Sequence, residues 1–338
     1  MKLLTIAIPS YNSEAYLDRC IQTLIQAGDE VEVLIVNDGS TDRTGEIADG
    51  YQAAYPSIVR AIHKPNGGHG SAVMAGLNEA TGLFFRVVDS DDWLDAAALT
   101  QVLDQLRQQA ASDDPIDLLL TNYVYDKVGV RHKRAVAYEN AIPTGKIVRW
   151  EDFGRFRVGQ YILMHATTFR TQVLRDCGLQ LPEHTFYVDN LYVYVPMPRV
   201  NRLFYLPVNL YHYFIGRDDQ SVNEPVMLRR IDQQLRVNRM MMDAVDLQQV
   251  QPIRKQQYMR NYLEIITMVS STLLIRSGTQ EHLAKLDALW QGIQKDHPQV
   301  YRMLMRRGFG RIIRLPKGLR KVVVDVGYCI SRKWFGFN

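Results

Sequence analysis

The sequence predicts an α/β fold in which a mixed, mainly parallel sheet is flanked by helices and followed by a C-terminal helical extension. Two observations carry this prediction. Over the first 126 residues, nearly continuous apolar runs alternate with amphipathic segments, and after Asn223 the pattern turns helical and stays so. Strands of a parallel sheet covered on both faces are typically continuous apolar runs. The 338 residues, 46% of them hydrophobic, are ample for a large core.

The predicted elements follow in strand–helix order. Strands are expected at 3–8, 31–36, 59–63, 83–88 and 117–125, with helices after Ser13, from a cap at Thr41 to about 55, at 71–80 and from 95 to about 109. The helices are predicted from apolar residues that recur at three- and four-residue spacing. From 127 to 215 short strands and brief helices mix, and His165 is expected in a strand beneath the site, with no role assigned.

Bulk properties exclude several classes. A formal charge of +4 is mild for this length and does not indicate nucleic-acid binding. The three cysteines lie far apart, which argues against a disulfide framework or structural zinc and fits a reducing cytoplasm. The short apolar run at the N-terminus meets Pro9 and indicates a strand rather than a signal peptide. No uncharged apolar stretch of about 18 residues predicts a transmembrane helix.

An acidic turn, Asp89-Ser90-Asp91, directly follows a predicted strand. Ligands of open parallel sheets bind at the carboxyl ends of the strands. Side chains two apart on an extended segment point to the same side, so Asp89 and Asp91 can converge on one metal, or on a metal and a ribose. The alternative is a solvated acidic turn in which Asp92 caps the next helix.

Two further polar turns follow predicted strands. One is Pro9-Ser10-Tyr11-Asn12, where Tyr11 can stack on a ligand, and the other contains Asp38, whose carboxylate can accept the imide N–H of a uracil. Taken alone, Asp38 could equally be a turn residue before Gly39. Because all three turns lie at one edge of the predicted sheet, together they predict a crevice for a nucleotide.

Three runs, TIAIPSYNSEAYLDRCIQTL, VEVLIVNDGSTDRT and RVVDSDDWLD, resemble the inverting family-2 glycosyltransferases of the GT-A fold. The similarity covers roughly residues 3–220. It implies metal-dependent transfer from a nucleotide-sugar, with UDP favoured, to a glycan, lipid-linked glycan or protein acceptor in bacterial polysaccharide assembly. It also implies a catalytic domain over 1–221, with a donor half at 1–126 and an acceptor half at 127–221, followed by a helical region at 222–338.

The resemblance assigns roles to individual residues of the donor half. Asp91 would bind Mn²⁺ or Mg²⁺, with Asp89 as a second candidate ligand. The nucleotide-sugar contacts would be Pro9, Ser10, Tyr11, Asn12, Asp38, Asn66, Gly68, Asp89 and Ser90. The segment containing Asn66 and Gly68 lacks a P-loop lysine and fails the dinucleotide fingerprint, so an ordinary flexible loop is the alternative there.

The acceptor half offers a base and a phosphate ligand. In the resemblance Asp189 is the catalytic base, although Val188 stands where family members often have Glu; a helix N-cap is the alternative. Arg217 would reach the leaving diphosphate, because its planar fork suits phosphate oxygens. His212 could complete the metal shell, or be a histidine that binds no ligand.

The chain from Tyr301 is strongly basic, with apolar residues between the charges. Such segments lie on anionic membrane surfaces, which would place the protein peripherally on the inner face of the cell membrane. The alternatives are a helical cap packed on the catalytic domain or a protein contact, and the long helices could form a homo-oligomer.

Two rival functions remain. A sugar nucleotidyltransferase would show a Gly-rich loop with Arg or Lys after the first strand, where this chain has Pro9-Ser10-Tyr11-Asn12. An inactive scaffold subunit of a polysaccharide assembly is disfavoured by the joint presence of the acidic residues and Arg217.

Overall fold

The computed structural model describes residues 2–127, 133–215 and 223–335, without the side chains of 331–335. The chain forms two compact units. The first comprises Met1–Ile215 with Val250–Lys255, and the second Gly216–Gln249 with Gln256–Asn338. The boundary expected at residue 221 falls among residues outside the description, and it stays a prediction.

The first unit is built on a ten-stranded sheet. In the described residues the strands are β1 Leu4–Ser10, β2 Val31–Asp38, β3 Val59–Lys64, β4 Phe84–Val87, β5 Trp93–Leu94, β6 Leu118–Lys127, β7 Arg134–Val136, β8 Ile147–Val148, β9 Thr167–Arg170 and β10 Leu203–Ile215. Their order is β3-β2-β1-β4-β9-β6-β10-β5, with β7 on β6 and β8 on β10.

Strand directions place the polar turns on one edge. Strands β3, β2, β1 and β4 are parallel, and β6 is parallel to β10. Strand β9 is antiparallel to both β4 and β6. Strands β4 and β6 therefore run in the same direction, and the carboxyl ends of β1, β2, β4, β6 and β10 face one edge. The predicted mixed, mainly parallel α/β sheet is confirmed.

Helices cover this sheet. They are α1 Leu17–Leu24, α2 Thr44–Ala54, α3 His69–Glu79, α4 Ala96–Ala110, α5 Thr171–Asp176 and α6 Asp189–Tyr194. All seven residues of β1 and all eight of β2 are buried, as the continuous apolar runs predict. Helix α3 packs closely on β1, since a Cβ at Gly76 would lie 2.8 Å from Ala7 Cβ.

The start of α4 at Asp95 is as expected, whereas the start of α2 is corrected. Asp95, rather than Asp92, caps α4, because its carboxylate accepts the Ala98 N–H at 2.8 Å. Helix α2 begins at Thr44 with Arg43 in the cap position, whereas the Thr41 N–H donates to Asn12 Oδ1 in a turn. The difference at Thr41 arises because the side chain of Asn12, in a neighbouring loop, accepts the Thr41 N–H.

The second unit is helical, as predicted after Asn223. Its helices are α7 Glu224–Arg229, α8 Ile231–Ala244, α9 Ile253–Ser277, which starts in the first unit, α10 Gln280–Asp296, α11 Pro298–Arg306, α12 Gly308–Ile313 and α13 Lys317–Phe335. Trp290 is anchored on α9 by a hydrogen bond from its Nε1 to Ser271 Oγ at 3.2 Å. Within the described ranges no helix is both long and apolar enough to span a bilayer.

Candidate functional site

Side-chain hydrogen bonds join the three polar turns. Asn12 adopts a left-handed conformation, with φ of 49°, and its N–H donates to Ser40 Oγ at 3.0 Å. The hydroxyls of Ser13 and Ser90 lie 2.7 Å apart, so the first turn also contacts the acidic turn. Ser10 is buried at the end of β1, next to Pro9, while Tyr11 is 53% exposed. The structure therefore brings these predicted residues together, with Tyr11 as the accessible aromatic surface.

Asp38 holds the loop that begins at Asn66. The carboxylate is 2% exposed and accepts the N–H groups of Gly67 at 3.0 Å and Gly68 at 2.7 Å. Lys64 Nζ donates to the same carboxylate at 2.7 Å, and Asn66 Nδ2 donates to the Asp38 backbone oxygen at 2.8 Å. A buried charge with three donors is well compensated. Asp38 thus fixes the loop beside the crevice.

Two histidines flank Asp89. His69 Nε2 lies 2.8 Å from Asp89 Oδ1, and His165 Nε2 lies 3.7 Å from Oδ2. Burial raises the pKa of Asp89, but the hydrogen bonds and charges of His165 and His69 outweigh it and hold that pKa well below its usual range. For His69, burial lowers the pKa, but the hydrogen bond and charge of Asp89 raise it by more, so the net shift is upward.

Asp92 directly follows the acidic turn, and its buried side chain stabilises it. It is 1% exposed, and it accepts the Tyr211 hydroxyl at 2.5 Å and the Phe214 N–H at 2.7 Å, one on each oxygen. The Tyr211 oxygen also accepts the Asp89 N–H at 3.1 Å. Burial and the charges of Asp91 and Asp89 raise the pKa of Asp92 well above its usual value. Asp92 and Tyr211 therefore link β10 to the backbone of the acidic turn.

His165 is held by the strands beneath it. It lies in a 3₁₀ turn, Met164–Ala166, rather than in the expected strand, and β9 follows directly. Its ring stacks on Tyr213 with centroids 4.5 Å apart and meets Tyr211 edge-on at 4.7 Å. The guanidinium of Arg86, fully buried in β4, donates to the His165 backbone oxygen and to Thr168 Oγ1. Burial lowers the pKa of Arg86 to about 10.

Asp189 belongs to the same electrostatic neighbourhood. Burial raises its pKa, the charges of His165 and His69 lower it, and the net shift is upward. Asp189 is the first residue of α6, and the cap position is Val188, which makes no side-chain cap bond. The N-cap alternative for Asp189 is therefore wrong. Asn190 Nδ2 donates to Asp189 Oδ1 at 3.4 Å.

Two predicted residues are not brought into this group. His212 alternates with Tyr211 and Tyr213 along β10, so its side chain leaves the opposite face of the strand. There its Nδ1 lies 3.3 Å from Asp126 Oδ2, its ring stacks on Trp93 at 5.3 Å, and it lines an open groove of about 480 Å³. Arg217 lies outside the described residues.

The acidic turn suits a hard divalent cation. In the described residues Asp89, Asp92 and His165 each offer a ligand atom within 4.8 Å of the others. Both oxygens of Asp92 accept hydrogen bonds, and those of Asp89 lie near His69 and His165. Asp91, half-buried on the same turn, adds a further carboxylate whose charge acts on Asp92. Sequence reasoning gave no role to His69 or His165. The position of His69 after a glycine pair was the available signal, whereas no sequence signal places His165 beside Asp89.

Comparisons with known proteins bear on the family and the fold of the chain. Residues 5–163 match the family model described as glycosyl transferase family 2. The "uncharacterized glycosyltransferase EpsJ" of Bacillus subtilis is 37% identical over 107 residues, which are 31% of this chain and 31% of EpsJ. The chain thus spans less than a third of that relative.

Two solved structures share the fold. TarS 1–349 of S. aureus, in complex with UDP-GlcNAc, has a TM-score of 0.54 at 19% identity, over 88% of this chain and 92% of that one. A mannosyltransferase of Pyrobaculum calidifontis, in complex with GDP-Man and Mn²⁺, has a TM-score of 0.53 at 12% identity, over 98% and 87%. The predicted GT-A architecture is confirmed by these neighbours.

Proposed function

We propose that the chain, whose residues 5–163 match glycosyl transferase family 2, transfers a sugar, with inversion, from a nucleotide-sugar to a hydroxyl acceptor. One observation carries the proposal. The acidic turn and a separate carboxylate, that of Asp189, lie in one electrostatic neighbourhood, since the charges of His69 and His165 act on both Asp89 and Asp189. Inverting transfer needs two such functions, one at the diphosphate and one at the attacking hydroxyl.

The donor would lie along the carboxyl edge of the sheet. Tyr11 offers an exposed ring for the base, and Asp38 holds the loop at Asn66 and Gly68. Ser90 and Asp89 follow β4 at the position proposed for the ribose and diphosphate. Complexes of the structural neighbours contain UDP-GlcNAc in one case and GDP-Man in the other. We propose UDP as the nucleotide, on the family resemblance.

Asp91 and Asp89 would hold a divalent cation, Mn²⁺ or Mg²⁺. The cation supplies charge to the diphosphate leaving group. Asp92 would stabilise the turn, because its carboxylate accepts hydrogen bonds from the Tyr211 hydroxyl and the Phe214 N–H. Arg217 is proposed to reach the same diphosphate.

Asp189 would remove the proton from the acceptor hydroxyl. Its raised pKa brings the carboxylate closer to the range in which a general base works well at neutral pH. The acceptor class remains a glycan, lipid-linked glycan or protein. We also propose a peripheral position at the inner membrane surface, since the chain from Tyr301 carries ten basic residues and one acid.

The test is nucleotide release from a panel of UDP-, GDP- and dTDP-sugars with Mn²⁺, Mg²⁺ or EDTA. We expect metal-dependent release from one donor, lost in Asp91→Ala. Asp189→Asn should keep nucleotide affinity within about twofold while transfer falls at least about a hundredfold. Neither nucleotide binding nor release from any donor would favour the inactive scaffold instead, and full transfer by Asp189→Asn would remove Asp189 from the mechanism.

A further inference from the structure

The last helix, α13, carries a row of apolar side chains on its outer face. Leu319, Val322, Val326 and Ile330 are between 52% and 59% exposed. Their three- and four-residue spacing places them on one side of the helix. Eleven residues separate the first from the last, so the row is about 16 Å long. Contiguous exposed apolar rows mark contact surfaces, whereas single exposed apolar residues do not.

The opposite face of α13 packs within its own unit and includes Val324, which is 5% exposed. Arg320 is 7% exposed and donates to the Ile313 backbone oxygen at 3.2 Å. Lys321 Nζ donates to the Arg276 backbone oxygen at 2.6 Å, and Arg276 pairs with Asp325 at 3.3 Å. The inner face thus holds the helix in its unit, with Arg320 and Val324 buried, while the row of four apolar side chains is turned outward.

We infer that the row Leu319–Val322–Val326–Ile330 is a membrane-docking face that inserts into the interface of an anionic bilayer. Exposed basic residues, Arg311, Arg314 and Lys317, precede the row directly. An apolar stripe flanked by cations is the composition of helices that lie in such an interface.

Charge selects the bilayer over a second copy of the chain. From Tyr301 onward the chain carries ten basic residues and one acid. Pairing two copies through this row would bring two strongly cationic segments together, and their repulsion opposes the contact. An anionic lipid surface gains from the same charges. This docking face does not depend on the proposed transfer reaction, so the two proposals fail separately.

The first experiment measures co-sedimentation of the full chain with phosphatidylcholine vesicles, with and without phosphatidylglycerol. We expect binding that requires phosphatidylglycerol and that falls at least about tenfold in Val322→Asp/Val326→Asp, because two buried apolar contacts are lost. The matched control, Gln291→Asp/Gln294→Asp, adds the same charge at exposed positions of α10 and should reduce binding less than about threefold. Equal losses in both variants would overturn the docking face, as would equal binding to neutral vesicles.

A second measurement reports on the row itself. Cys329 is exposed on α13, Cys20 is buried and Cys177 is half-buried, so an environment-sensitive fluorophore can be attached to Cys329 in a Cys177→Ser background. We expect its emission to shift to the blue with anionic vesicles and to stay unchanged as protein concentration rises without lipid. A blue shift that follows protein concentration alone, with a doubled mass in light scattering, would show that a second copy covers the row and would overturn the inference.

Discussion

Removing one hydroxyl, by Tyr211→Phe, tests whether the hydrogen bonds between Tyr211, Asp92 and Asp89 stabilise the acidic turn. The hydroxyl donates to Asp92 at 2.5 Å and accepts the Asp89 N–H at 3.1 Å. A hydrogen bond to a carboxylate contributes ~1.5–3 kcal/mol, and a buried N–H left without a partner costs ~1–3 kcal/mol. We therefore expect the free energy of unfolding to fall by about 3–5 kcal/mol.

Urea denaturation followed by circular dichroism measures this loss. The melting temperature should fall by about 10 °C, since ~1 kcal/mol corresponds to ~2–4 °C in a domain of this size. Tyr213→Phe is the matched control. Its ring stacks on His165, which the Tyr211 ring meets edge-on, but in the described residues its hydroxyl makes no hydrogen bond. A loss below ~1 kcal/mol in Tyr211→Phe, or an equal loss in both variants, would refute the reasoning.

A second variant, Asp92→Asn, tests whether Asp92 has a structural role or is a metal ligand. The asparagine keeps an acceptor for the Phe214 N–H and removes a buried charge that Asp91 and Asp89 repel. We expect the free energy of unfolding to fall by no more than ~1–3 kcal/mol, because the amide nitrogen cannot accept the Tyr211 hydroxyl while a desolvated charge disappears. Mn²⁺ affinity measured by calorimetry should remain within about tenfold of the wild type, an energy of ~1.4 kcal/mol. A much larger loss of affinity would make Asp92 a ligand.

Two further predictions concern the loop and the histidine. Lys64→Met should destabilise the fold by about 2–3 kcal/mol, because Asp38 keeps two backbone donors but loses its cation; an unchanged denaturation midpoint would contradict this. In metal-free protein, NMR titration should place the pKa of His69 above 6.5, and Asp89→Asn should lower it. Because the folded pKa of His69 is raised, its stabilisation is complete below ~6.5 and is lost as pH rises through the folded value; Asp89→Asn should therefore cost more at pH 6 than at pH 9.

How much of the fold and of the site could be predicted from the sequence depends on how far apart in the chain the contacting residues lie. Strands β1 and β2 follow from continuous apolar runs, because a strand buried on both faces tolerates little else. The acidic turn follows from its place after β4. Strand β9 has only four residues and enters between β4 and β6, far apart in the chain, so no local pattern places His165 beside Asp89. Tertiary pairing decides such contacts.

His212 shows a different limit. Two-residue alternation along β10 requires that it point away from Tyr211 and Tyr213. The sequence alone does not say which of the two faces carries the acidic turn, and that choice is made by the hydrogen bond between Tyr211 and Asp92. Once this contact is known, the alternation places His212 with Asp126 and Trp93 instead.

The four aspartates of the crevice divide into two kinds, and the division supports their proposed roles. Asp92 is buried on hydrogen bonds, with its pKa raised, and Asp89 is balanced by the imidazole of His69, with its pKa lowered. These two stabilise the turn, and Asp89 is also proposed to assist Asp91 with the cation. The proposal assigns chemistry to Asp91 and Asp189, one for the cation and one for the acceptor proton. A single carboxylate could not serve both, because a bound cation would lower its pKa and weaken it as a base. Separate placement, on the turn after β4 and at the start of α6, lets each keep the charge state that its task requires.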